Sequence, residues 1–126
     1  MLEKNNGPLV VLVVKDDPLI RISAATFIED AGFLALEAAN ADQAMALLED
    51  KRHDIRVLFT DIDMPGSMNG PLLALAVHDR WPPIRIVVTS AHRFVTENHL
   101  SAGGVFLPKP YDALRVGQTL RRMAAA

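Results

Sequence analysis

The stretch Leu9-Val-Val-Leu-Val-Val-Lys-Asp-Asp-Pro18 decides the fold. Six apolar residues in a row stop abruptly at one cation and two acids. A continuous valine-rich run, with no polar alternation, reads as a strand buried on both faces, as in parallel sheets. The charged residues then mark the carboxyl end of that strand. Asp17-Pro18 reads as a helix start, with an acid at the N-cap and proline at the first helical position. The run is too short to span a membrane and is followed by no small-residue cleavage site.

The same pattern repeats along the chain. Phe33 to Ala38 reads as a second strand. Ile55 to Thr60 is a third, followed by Asp61 and Asp63. Ile84 to Thr89 is a fourth, introduced by Pro82-Pro83 and closed by Thr89-Ser90. Val105 to Leu107 is the last, leading to Lys109 between Pro108 and Pro110. The intervening segments read as helices. The first carries Ile20, Ala24, Phe27, Ile28 and Ala31 at helical spacing and stops at Gly32, because glycine tolerates a left-handed cap. Asn40-Ala-Asp-Gln43 resembles a capping box opening a helix to about Asp50. A third helix follows the loop Gly66 to Asn69 and reaches about Arg80. A fourth is expected over Phe94 to Ala102, ended by Gly103-Gly104. Asp112 caps the last, whose expected apolar positions are Leu114, Val116, Leu120 and Met123. Five βα units argue for a doubly wound, five-stranded parallel sheet with helices on both faces.

Groups just past the carboxyl ends of such strands share one crevice. Asp16, Asp17, Asp61, Asp63, Thr89 and Lys109 are therefore expected together. Carboxylates, a hydroxyl and an ammonium in one place suit a divalent cation and a phosphoryl group.

With 126 residues, half of them hydrophobic and 22% charged, the composition is that of one ordinary globular domain. Residues 1–8 read as a polar leader and 9–126 as the domain. The net charge of −2 offers no basic footprint for direct nucleic-acid binding. The absence of cysteine rules out disulfides and thiolate zinc sites. No membrane segment is visible, and a cytoplasmic location is the expectation.

Four pieces taken in order are specific: Val11-Leu-Val-Val-Lys-Asp-Asp-Pro18, Thr60-Asp-Ile-Asp-Met-Pro65 with Asn69-Gly70, Val87-Val-Thr-Ser90, and Lys109-Pro110. They resemble the receiver domain of two-component response regulators, the chemotaxis-regulator fold, over roughly Val10 to Met123. The resemblance implies strand order 2-1-3-4-5. It implies Asp61 as the aspartyl phosphoacceptor. It implies magnesium held by Asp16, Asp61 and the backbone carbonyl of Asp63. It gives Thr89 and Lys109 the role of contacting phosphoryl oxygens, and Thr89 with Phe106 the role of a switch pair. It also implies a cis bond between Lys109 and Pro110.

Two places depart from the family pattern. Where the family has the first of two adjacent acids, this chain has Lys15. That change is expected to weaken magnesium binding rather than remove the site. The ammonium can also pair with Asp61 or Asp63 and stand in for part of the metal's charge. Asp17 is expected to cap the first helix rather than replace the missing acid. Secondly, the loop Gly66-Ser-Met-Asn-Gly70 is one residue longer than the commonest form, which bears on access to Asp61.

Other residues have plainer readings. Phe106 in a last strand is equally ordinary packing. His92 and His99 share a possible helical face, but two imidazoles make a poor metal site. Arg115, Arg121 and Arg122 read as solvated cations in a last helix.

The leading functional reading is a phosphorylation-controlled signalling module, not an enzyme. It takes phosphate from a histidine kinase or histidine phosphotransfer protein. It then alters a surface made by the fourth helix, fifth strand and fifth helix. It binds a downstream partner, passes phosphate onward, or belongs to a larger regulator, as a monomer or weak homodimer. One alternative is a degenerate receiver that acts as a constitutive interaction module. The other is a phosphatase resembling the haloacid dehalogenases. Those enzymes carry Asp-x-Asp after the first strand, however, and their acid pair comes last.

Overall fold

The computed structural model describes residues 9–61, 70–90 and 104–125, with only the backbone described at 70, 71, 90 and 125. The leader at 1–8, Asp63, the loop at 66–69, and the expected helix at 94–102 with His92 and His99 lie outside the described residues.

The elements run β1 (Val10–Val14), α1 (Pro18–Asp30), β2 (Leu34–Ala38), α2 (Ala41–Lys51), β3 (Ile55–Asp61), α3 (Gly70–Arg80), β4 (Arg85–Ser90), β5 (Val105–Pro108) and α4 (Ala113–Ala125). The five strands are all parallel, in the order β2-β1-β3-β4-β5. This is the doubly wound sheet expected from the alternation of runs.

Period-two alternation assigns each strand residue to one face. Val11, Val13, Val57, Phe59, Val87 and Leu107 pack with Ala24 and Ile28 of α1 and with Val116, Leu120 and Met123 of α4. Leu12, Val14, Leu58, Ile86 and Val88 pack on the opposite face with Ala44 and Leu48 of α2 and Leu73 and Val77 of α3. The middles of the central strands, Val11–Val14 of β1, Val57–Phe59 of β3 and Ile86–Val88 of β4, are apolar on both sides because they serve two cores.

The helix ends follow local chemistry. Asp17 accepts from the backbone N–H groups of Leu19 and Ile20, with Pro18 opening the helix. Gly32 follows α1 at φ 96°, a left-handed conformation in which a Cβ is disfavoured. Asn40 accepts from the Gln43 N–H at 2.8 Å, and Gln43 Oε1 accepts from the Ala39 N–H at 2.8 Å. The return bond thus lands one residue before the cap. Asp112 accepts from the Arg115 N–H and caps α4.

Two expected core positions are corrected. Leu114 is 63% exposed. Val116, Leu120 and Met123 follow one another at four and three residues and share the buried stripe. Leu114 lies two residues from Val116, about 200° around the helix, and so faces away. Ile20 is also exposed, at the rim of α1 rather than beneath it.

The registers position the site. Val14 pairs with Thr60, Asp61 with Thr89, and Ser90 with Pro108. The ladder extends one residue beyond β1, since the Lys15 N–H donates to the Ala38 carbonyl at 3.1 Å. Lys15 therefore continues the row of Val11 and Val13. Asp61 continues that of Val57 and Phe59, and Thr89 follows Val87. All three stand on the α1/α4 side of the sheet.

Candidate functional site

Asp61 is the hub. It is the last residue of β3 and is nearly buried. Its Oδ1 accepts from three donors: Thr89 Oγ1 at 2.7 Å, Lys109 Nζ at 2.8 Å and Lys15 Nζ at 2.9 Å. The Lys15 ammonium also donates to Thr89 Oγ1 at 2.9 Å. Thr89 thus receives one proton from Lys15 and gives its own to Asp61. Among the described residues, the second carboxylate oxygen, Oδ2, has no partner. Groups from β1, β3, β4 and the segment after β5 meet here, as the strand-end pattern implied.

Lys15 is 0% exposed. A buried charge survives only when paired and hydrogen-bonded, and Lys15 has both forms of support. Its Nζ also lies 4.9 Å from the centre of the Phe59 ring and 5.7 Å from that of Tyr111. The two rings meet edge to face, 5.8 Å apart, and Tyr111 contacts Phe27 of α1 in the same manner. Aromatic faces attract a cation, and more strongly when water is excluded. The Lys15 carbonyl accepts from Arg21 at 3.0 Å, and Arg21 is itself ion-paired with Glu37 at 3.2 Å.

These surroundings set the protonation states. Burial pushes the Lys15 ammonium down to about 8, against the opposing pull of Asp61. Burial alone would push the Asp61 carboxyl up. The charge of Lys15 and the hydrogen bonds from Lys109, Thr89 and Lys15 outweigh it and hold that carboxyl below its ordinary value. Burial, and then the charge of Asp61, push the Tyr111 phenol up, so it stays a neutral hydroxyl. Asp61 thus stands as a carboxylate held by Lys15, Lys109 and the Thr89 hydroxyl.

Asp16 is exposed beside this cluster: its charge acts on the Lys15 ammonium, and no described hydrogen bond joins it to Asp61. Asp17 serves as the cap of α1. Phe106 pairs across from Val88, so it stands on the sheet face opposite Thr89, half-buried. The Lys109–Pro110 bond is cis. Sequence reading passed over Phe59, Tyr111 and Arg21. Only Phe59 carried a usable signal, two residues before Asp61 and hence on the same face.

The family description "Response regulator receiver domain" matches residues 11–121. The chain belongs to the response regulator receiver domains. The receiver is 26% identical over 121 residues to the sensor kinase CckA of Brucella abortus, covering 94% of this chain and 13% of that protein. It is 32% identical over 111 residues to the nitrogen assimilation regulatory protein NtrX of Azorhizobium caulinodans, covering 84% of this chain and 24% of that one. This receiver therefore spans a small part of both relatives. Among solved structures, the receiver domain of NtrX from Brucella abortus superposes with a TM-score of 0.84 at 28% identity, covering 92% of this chain and 98% of that one. The chemotaxis response regulator CheY4 of Vibrio cholerae gives 0.79 at 25%, covering 92% and 98%.

Receiver domains generally bind Mg2+. The described residues of this receiver do not fit an ion bound directly at Asp61 Oδ1. That oxygen already carries two ammonium contacts, and a third cation beside them meets strong repulsion. Asp16 and Asp61 supply two carboxylates, and two ammonium groups cancel them. No group of three acidic, histidine or cysteine side chains gathers among the described residues.

Proposed function

We propose that this receiver accepts a phosphoryl group on Asp61 from a histidine kinase or a histidine phosphotransfer protein. The observation that carries the reading is the convergence of Lys15, Lys109 and Thr89 on a single oxygen of Asp61. Phosphoryl transfer spreads negative charge over the equatorial oxygens of phosphorus, and catalysis consists of positioning and neutralising that charge. Two cations and a hydroxyl are already in place to do so, and the free oxygen of Asp61 is available to attack.

Receiver domains generally interact with histidine kinases or phosphotransfer proteins. A groove of about 350 Å³ beside Lys109 supports a protein donor. It is lined by Leu19, Ile20 and Phe27 of α1 and by Tyr111, and is mostly apolar. Leu19 and Ile20 are both exposed there and offer adjoining apolar surface to a partner. The phosphorylated aspartate then acts on Thr89 and Lys109, from which the change reaches β5 and α4. A cytoplasmic location goes with this reading.

A second reading is favoured by one observation. Lys15 already neutralises Asp61 and holds Thr89 beside it, as a degenerate, constitutive receiver would. A small phosphodonor separates the two. Incubation with acetyl phosphate should add one phosphoryl group to the intact chain, and Lys109→Ala should accept it more slowly. A chain that stays unmodified at saturating donor would leave only the constitutive reading. The phosphatase alternative falls with the family assignment: this is a signalling domain rather than an enzyme turning over a substrate.

A further inference from the structure

We infer that the Lys15 ammonium takes the place of the divalent cation in this site, so that Asp61 accepts a phosphoryl group without any metal ion. The inference rests on Asp61 being a phosphoacceptor, as proposed above.

The geometry supplies the argument. The transferred phosphoryl group has three non-bridging oxygens that need neutralising. Around Asp61 stand three donors: Lys15, Lys109 and Thr89, each within 2.9 Å of Oδ1. The count closes with no further group. Lys15 is not a surface lysine that strays into the site. It is fully buried and lies over Phe59, and its backbone carbonyl accepts from Arg21 at 3.0 Å. Strand alternation sends its side chain toward Asp61 because it continues the row of Val11 and Val13. Asp61 takes its hydrogen bonds from Lys15 and Lys109, and no described hydrogen bond joins it to Asp16.

The reaction balances with these residues alone. A lone pair of Asp61 Oδ2 forms the O–P bond with a phosphoramidate donor. The P–N bond breaks, and its electron pair stays on nitrogen, which takes a proton from solvent. The product is an acyl phosphate on Asp61. Lys15 keeps its proton throughout and contacts a phosphoryl oxygen through charge. Its ammonium is delivered by the fold rather than drawn from solution, so the site does not depend on the concentration of free cation.

The test uses the whole chain with potassium phosphoramidate, in excess EDTA and in excess magnesium, read by peptide-mapped mass spectrometry at Asp61. Labelling rates in the two conditions should agree within about threefold, well under the tenfold change that 1.36 kcal/mol of barrier represents. Lys15→Asp should make labelling depend on magnesium, with a loss of about tenfold or more in EDTA. A structural lysine would leave that dependence unmoved. Wild type labelled at Asp61 only with magnesium overturns the metal-free inference and leaves the phosphoacceptor reading intact. Wild type unlabelled in both conditions overturns both. Should Lys15→Asp not fold, the two arms on wild type still decide.

Discussion

Asp61→Asn leaves the Lys15 ammonium buried without its hydrogen-bonded counter-charge. Breaking a buried ion pair from one side is expensive, about 3–5 kcal/mol. The variant should therefore lose roughly that much stability in urea denaturation, unless Lys15 sheds its proton to limit the loss. Lys15→Met together with Asp61→Asn should recover most of it, because methionine suits the Phe59 and Tyr111 rings and removes the stranded charge. If Asp61→Asn unfolds within about 0.5 kcal/mol of wild type, the buried pair is not formed in solution. Lys15 also sets an alkaline signature. Its ammonium is pushed down to about 8 from 10.5, so between those values the unfolded chain binds more protons than the folded one. Stability should rise with pH across that window. Urea midpoints of wild type and Lys15→Met, measured from pH 7.5 to pH 10.5, should show the rise in wild type and its absence in the variant. Asp61 has the acid-side effect: its contribution is present above the ordinary carboxylate value and is lost as pH falls through its lowered one. At this scale the sequence made Asp61, Thr89 and Lys109 legible, because each follows an apolar run. The destination of Lys15 was left open between weakening a metal and pairing with Asp61 or Asp63. Alternation continued one residue past Val14 resolves it. Tyr111 and Arg21 were not legible, since their contacts arise from packing between separate elements.

The helix boundaries depend on single residues whose effects separate cleanly. Asp17→Ala removes two accepted hydrogen bonds at the start of α1 and should cost about 1 kcal/mol. Gly32→Ala meets no neighbouring atom within 4 Å, so its cost is conformational alone. At φ 96° that cost should be about 1–2 kcal/mol. Chemical denaturation of the two variants checks both figures, and a neutral Gly32→Ala would mean that the backbone relaxes there. The described elements were legible from apolar runs and caps, with boundaries that moved by one or two residues. Asp61 became the last residue of β3 rather than the first beyond it. Leu114 was misplaced because its apolarity was read without its angle on the helix. Its side chain, with Leu19 and Ile20, contributes to the exposed apolar surface.

The whole molecule is a doubly wound sheet with a charged centre at the carboxyl ends of its strands. The doubly wound sheet and the site's location followed from the βα alternation, and the strand order from the resemblance to receiver domains. The groove beside Lys109 did not, because it depends on how α1 sits against the segment leading into α4. If phosphorylation switches a surface, beryllofluoride should shift amide resonances at Thr89, Phe106 and along α4, and any dimer should form through that face. Shifts confined to Lys15, Asp16 and Asp61 would deny a switch. The most direct measurement of the central claim maps the modified residue after treatment with a small phosphodonor. The expected result is one phosphoryl group per chain, on Asp61, labile to hydroxylamine as an acyl phosphate must be. The folded Lys15→Met/Asp61→Asn variant should stay unmodified. A phosphoryl group on any other residue, or equal labelling of that variant, would contradict the account.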